Sequence, residues 1–403
     1  MQFPTGLRAL NHRDFRLFWT GQLISLVGSW MQTVGQSWLI LQLTNSPFKL
    51  GLISTLQFFP MLAFSLVAGA ITDRLPKRKV IIGTQATLMV LAFILSALAA
   101  SGHVQFWHVA VLAVLLGLTN TLDVPARQSY VVEMVGKADL MNAIALNSAV
   151  FNGARILGPA AAGLLVARFG VAPAFFLNGI SFLAVIAALL AIRTEGLPAP
   201  RPRASMGQEI RAGLRYAIRT PVTLFVLSLL LTVSLFVINF GVLIPLLARQ
   251  MLHQEAQGFG LLMSSMGAGA LAGAVALAFL GRQRPTLAIF TGAGAVLCTA
   301  TLLVAGVQQF LPAAAMLAVM GFSQIIFSAS ANTILQVTTP DELRGRIMSL
   351  FALVFAGSTP IGSFFIGLIT ENLGAPAGFL SAGGLGLLSV VMIAAWWKLH
   401  GQR

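Results

Sequence analysis

The sequence predicts an all-α membrane protein: twelve transmembrane helices in two pseudo-symmetric six-helix bundles. Three observations carry this. First, 57% of the 403 residues are hydrophobic and 9% are charged, whereas a soluble domain is about 45–50% apolar and about 25% charged; the mean hydropathy is +0.87. Second, apolar runs of about 20 residues, the length that spans a bilayer as a helix, recur along the chain. Third, the basic residues alternate by side. Of the 25 Lys and Arg, 21 fall on one side, Lys49, Arg168 and Arg249 on the other, and Arg155 inside a span. Such a bias places the basic side, with both termini and the central loop, in the cytoplasm.

The formal charge of +14 then follows from topology, and no nucleic-acid partner is expected. A single cysteine, Cys298, excludes an intramolecular disulfide. The start, MQFPTGLRALNHRDFRLFW, has no small-residue cleavage site after a short apolar core, so the first span is expected to insert directly.

In order, the spans are expected at about 16–42, 48–71, 80–101, 106–127, 140–167, 172–193, 222–249, 258–280, 285–306, 310–332, 344–370 and 376–398. Short connectors make neighbours antiparallel. Gln22, Ser25, Ser29, Gln32 and Gln36 share one face of span one. Polar groups facing lipid are unfavourable, so that face should meet a cavity or another helix. Span four carries Asp123 and Arg127, four apart around Pro125; Asp123 is the one acid clearly within a span.

Span five contains Asn152, Arg155, Gly158, Pro159 and Gly163. Pro159 removes a backbone bond and the glycines admit a partner helix, so a bend is expected there. An arginine in the membrane faces a partner or a wet cavity. Arg155 therefore reads either as a substrate-attracting residue or as a structural one bonded to carbonyls and Asn152. After span six, TEGLPAPRPRASM breaks the pattern. In the GQEIRAGLRYAIRT that follows, Ile210, Leu214 and Ile218 share a face beside Arg211, Arg215 and Arg219. It reads as an amphipathic helix on the inner membrane surface or as a solvated connector. The domains are accordingly 1–193, a linker at 194–220, and 221–403.

The two halves resemble each other at an offset of about 204 residues: Gly158, Gly163, Gly170, Phe175 and Gly179 align with Gly362, Gly367, Gly374, Phe379 and Gly383. Parallel repeats build rocker-type transporters with a site near mid-membrane. Phe236, Asn239, Met263 and Gln324 join Gln32, Gln36, Asn152 and Arg155 as candidates for lining a large, mostly apolar cavity edged by amides, suited to bulky amphipathic ligands.

The cytoplasmic turn GAITDRLPKRK, residues 69–79, resembles the signature loop of the major facilitator superfamily: Gly69, Asp73 and Arg74 match, Lys77 and Arg78 take the later basic positions, and Pro76 replaces a glycine. The resemblance implies an inner gate. Gly69 would allow close helix approach, Asp73 would face the positive end of span eleven, and Lys77 would bridge Asp73 to Asp123, with Arg127 beside it. Asp123 is also the first candidate proton carrier. A purely topological reading, in which the charges only pin the loop inside, needs no aspartate. GARILGPAAAG resembles the antiporter branch motif, which fits export.

Taken with NHRDFRLFWTGQLISLVGSWMQTVGQSWLILQLT, DVPARQSYVVEMV and EIRAGLRYAIRTP, these stretches resemble the transmembrane secretion effectors, the branch that holds the enterobactin exporter and macrolide efflux proteins. The resemblance covers nearly the whole chain. It implies a major facilitator fold and export of a siderophore, macrolide or similar drug-like compound from the cytoplasm of a bacterium, across the inner membrane, by alternating access and proton antiport. A lipid or lysophospholipid transporter and a non-transporting scaffold or receptor are the competing readings. With no ATP-binding or metal-ligand spacing in the chain, the expectation is a secondary carrier and not an enzyme. It would use the proton gradient, no cofactor, a small-molecule substrate and surrounding membrane lipid, as a monomer.

Overall fold

The computed structural model describes residues 4–196, 206–280 and 286–400, all helix, turn or coil without a strand among them. A short 3-10 turn, Thr5–Asn11, precedes α1 (Arg13–Thr44), α2 (Pro47–Arg74), α3 (Lys77–Ala100), α4 (Phe106–Phe169), α5 (Ala172–Ala191), α6 (Met206–Arg219) and α7 (Pro221–Phe236). Then come α8 (Phe240–Leu246), α9 (Ala256–Leu280), α10 (Leu287–Val304), α11 (Phe310–Thr338), α12 (Asp341–Leu373) and α13 (Ala375–His400).

Ten helices among the described residues are long and apolar enough to cross a membrane. One of them, α4, runs for 64 residues and breaks at Gly136 (φ 69°, ψ 175°), so it supplies two spans. The 32-residue α1, whose polar face lowers its hydropathy, is the twelfth. Seen from sequence, the stretch 128–139 should have been a connector. The helix instead continues to the break, because Tyr130, Val131, Met134 and Val135 are buried with Phe15, Phe18, Ile81 and Leu189 in one cluster. The span that begins with α7 also departs from a plain helix: α7 stops at Phe236, α8 starts at Phe240, and a π turn, Leu247–Met251, closes the segment.

Contacts divide the chain into two units. One comprises Met1–Asn45, Leu56–Arg201 and Glu255–Ser264; the other comprises Ser46–Thr55, Pro202–Gln254 and Ser265–Arg403. In the first, α1 packs on α4 and α5, and α3 on α4 and α5; in the second, α10 packs on α11 and α13, and α7 on α12 and α13. The first turns of α2 thus group with the second unit. There Ser46 caps the helix by accepting from Lys49 N (3.2 Å), and Glu371 accepts from Ser46 Oγ (2.8 Å) and Phe48 N (3.1 Å).

The α6 segment is a helix lying on α12 and α7. Gly213 faces Arg346, a Cβ there falling 3.2 Å from that side chain. Ala217 is buried, while Leu214 and Ile218 are 50% and 59% exposed. The segment is helical; the side chains of Ile210 and Arg211 lie outside the described residues.

Candidate functional site

The 69–79 loop lies at one end of the first unit, between α2 and α3. Pro76 ends the connector, since its ring disfavours helix at the residue before it, and α3 starts at Lys77. The Lys77 backbone N–H donates to Gly196 O (2.8 Å), and its ammonium, 4% exposed, forms a short ion pair with Glu133 of α4. Gly196, at φ +70°, fits against Lys77 Cβ and the Tyr130 ring. Tyr130 donates its hydroxyl to Thr194 O (2.6 Å). Arg78 donates to Leu189 O (2.7 Å) and Leu190 O (3.0 Å) at the end of α5. Asp14 of α1 accepts from Arg193 N (3.1 Å), Thr194 N (2.9 Å) and Thr194 Oγ1 (2.7 Å). Burial pushes the Asp14 carboxyl up, but these bonds from Thr194 and Arg193, with Arg13 nearby, outweigh it and hold the group below its ordinary 3.8. Asp14, Tyr130 and the Lys77 backbone N–H therefore tie residues 193–196 to α1, α4 and α3.

This corrects part of the expected relay. Asp123, 5% exposed, accepts from Thr84 Oγ1 (2.5 Å), Gln85 Nε2 (3.0 Å) and Arg127 Nε (2.5 Å). The helix carries Pro125 without losing the Asp123–Arg127 pair, so an internal ion pair takes the place of the expected bridge from Lys77. Arg127 also lies 5.7 Å from the Phe18 ring. The close approach expected at Gly69 is not seen among the described residues: a Cβ there meets nothing within 4 Å. Arg74 sits exposed in the last turn of α2, and the side chain of Asp73 lies outside the described residues. Glu133, Asp14 and Tyr130 were missed from sequence. The acid within VVEMVGK was the available signal for the first, whereas the return of residues 193–196 left no trace in the pattern.

Mid-span, the first unit gathers a second group. Gly158 lies against α1, where a Cβ would fall 2.5 Å from Trp30 Cβ and 2.9 Å from Val27 O. Gly163 likewise lies on the start of α9, 3.0 Å from Ala256 O, with Pro159 O directed at Gly260. These contacts fix the register of α4 on α1. As a result Phe151 meets Trp30 edge-on (centroids 5.8 Å, 68°) and the Arg155 guanidinium sits 5.9 Å from the Trp30 ring. Asn152 is 8% exposed; its Nδ2 donates to Ser148 O (2.8 Å) and its Oδ1 has no hydrogen-bond partner among the described residues.

The other expected cavity residues are placed differently. Gln32 accepts from Asn178 Nδ2 (2.6 Å), and Gln36 donates to Gln57 (3.4 Å). Both amides thus tie α1 to neighbouring helices, and their shared face is a helix interface. Asn239 sits at the break between α7 and α8, donating to Leu235 O (2.7 Å) and accepting from Ser363 Oγ (3.2 Å), where it supports the interruption. Phe236 packs edge-on against Phe365 (6.0 Å). Met263 and Gln324 are 7% and 8% exposed. Arg155, Asn152, Gln32, Gln36 and Met263 belong to the first unit, and Phe236, Asn239 and Gln324 to the second. An apolar groove of about 690 Å³ in the second unit, lined by Gly269, Ile289, Val296, Val319 and Phe322, contains none of them.

Residues 4–402 match the family described as transmembrane secretion effector. A multidrug efflux pump, Tap, of Mycolicibacterium fortuitum is 28% identical over 365 residues, 88% of each chain. The enterobactin exporter EntS of Escherichia coli is 28% identical over 386 residues, 94% of this chain and 90% of its own. Among solved structures, a POT family transporter superposes with a TM-score of 0.76 at 12% identity, covering 96% of both chains. A bacterial homologue of the iron transporter ferroportin gives 0.74 at 16%, covering 95% of this chain and 98% of its own.

Proposed function

Because the chain belongs to the transmembrane secretion effectors, transporters of the major facilitator type, we propose that it exports bulky amphipathic small molecules from the cytoplasm. The export proceeds by alternating access in a bacterial inner membrane, with both termini cytoplasmic. The observation that carries this is the match over residues 4–402 to a family whose relatives include a multidrug efflux pump and a siderophore exporter. The repeated six-span architecture supports it. Proton antiport supplies the energy: Asp123, the acid placed deepest in a span, takes up a proton when its pair with Arg127 opens. The experiment is uptake into inverted vesicles holding the purified protein, with a panel of drug-like and siderophore-like compounds, with and without an imposed pH gradient. Accumulation that needs the gradient is expected. Flux of every compound at the rate of empty vesicles overturns the export reading, and gradient-independent accumulation overturns the antiport.

A further inference from the structure

Every acid of the sequence except Asp123 sits at or near a helix end, beside the Gly136 break of α4, in a connector, or on α6. Asp123 is already engaged by Arg127, Thr84 and Gln85. A lipophilic cation crossing this protein would find no uncommitted carboxylate in the low-dielectric part of its path, where an uncompensated charge is costly. Against that stands one mid-span cation. Arg155 shares an arc of α4 of about 100° with Ser148, Phe151 and Asn152, because positions three and four apart lie on one helix face. The arc offers three kinds of contact. Phe151 is 47% exposed, an aromatic surface backed by Trp30. Arg155 supplies a delocalised positive charge. The Asn152 Oδ1 is a buried acceptor with no donor among the described residues, a state that costs about 1–3 kcal/mol until a donor arrives.

We propose that this arc is a subsite for a hydroxylated aromatic anion. The ring packs on Phe151, a carboxylate or phenolate oxygen meets Arg155, and a hydroxyl donates to Asn152 Oδ1. The inference rests on the export reading and names its substrate class: neutral-to-anionic aryl compounds are selected over lipophilic cations.

Calorimetric titration of the purified full chain with 6-hydroxy-2-naphthoate, 2-naphthoate and naphthylmethyl-trimethylammonium tests it. The hydroxylated anion is expected to bind at least about fivefold tighter than the plain anion, about 1 kcal/mol, and the cation not at all. Arg155→Gln should weaken both anions about tenfold or more, with partial recovery in Arg155→Lys. Asn152→Leu should abolish only the preference for the hydroxyl. That preference is a ratio within one protein sample, so it stands even if Arg155 variants fold poorly. Cation binding equal to anion binding, an absent hydroxyl preference, or unchanged anion affinity in a folded Arg155→Gln each overturns the subsite. Vesicles that export cations without anion binding would remove this inference and leave export standing; anion binding without any flux would do the reverse.

Discussion

The second half of α4 and its counterpart α12 differ in an informative way. At the offset of 204, Gly158 and Gly362 both press on the opening helix of their repeat, α1 and α7 respectively. Gly170 and Gly374 both end their helices in left-handed geometry, φ +78° and +85°, and Phe175 and Phe379 are both fully buried. Phe151 has its counterpart in Phe355. Arg155, however, corresponds to Thr359, Asn152 to Ala356, and Trp30 to Ser234. What the repeats share at these positions is packing, and what they do not share is charge. Shared positions thus report the scaffold.

The largest expected effect comes from breaking what is shared. Gly158→Leu and Gly362→Leu each force a side chain into backbone already in contact, an overpacking of about 1–3 kcal/mol or more. Both should sharply reduce the monodisperse peak on detergent size-exclusion chromatography; a normal peak for either would mean the two contacts are not equivalent. Next, breaking what is unshared should spare folding and remove function. Arg155→Gln is expected to lower aryl-anion export at least about tenfold, whereas Thr359→Val changes it less than about twofold, both read as initial rates in vesicles at matched protein content.

A smaller effect concerns the Lys77–Glu133 pair. Glu133→Gln removes one charge that faces the buried Lys77 ammonium; breaking a fully buried pair costs about 3–5 kcal/mol, and less here, since Glu133 is 30% exposed. The melting temperature should drop by several degrees, and adding Lys77→Met should restore part of it; a purely additive double variant would dissolve the pair's importance. The smallest effect is at Asp14. Its carboxyl titrates below 3.8 when folded, so its contribution is present above the unfolded value and is lost as pH falls through the lower folded one. Asp14→Asn should therefore lower the melting temperature at neutral pH, with the gap to the unsubstituted protein closing below pH 3.8.

The spans, the repeat and the helix α6 were legible because hydropathy, glycine spacing and charge alternation are local or periodic signals. Partner choice was not. Periodicity placed Gln32 and Gln36 on one face of α1 but could not say that Asn178 and Gln57 would meet them there. Four basic residues in eleven, 69–79, marked a charged turn, yet what Lys77 and Arg78 would meet depended on how α4 continues past Asp123 to Glu133 and on where α5 ends. Arg155 was visible from sequence as an anomaly; Trp30, 125 positions earlier, became its neighbour only through the Gly158 contact.

Gly136 is the whole connection between the two spans of α4. A single residue at positive φ with extended ψ, a region essentially reserved for glycine and costing about 1–3 kcal/mol, leaves no slack to absorb sliding of one span past the other. The segment bearing the Asp123–Arg127 pair and the segment bearing Arg155 are therefore two arms of one lever: a tug on either is felt at the elbow before it can be lost in a loop.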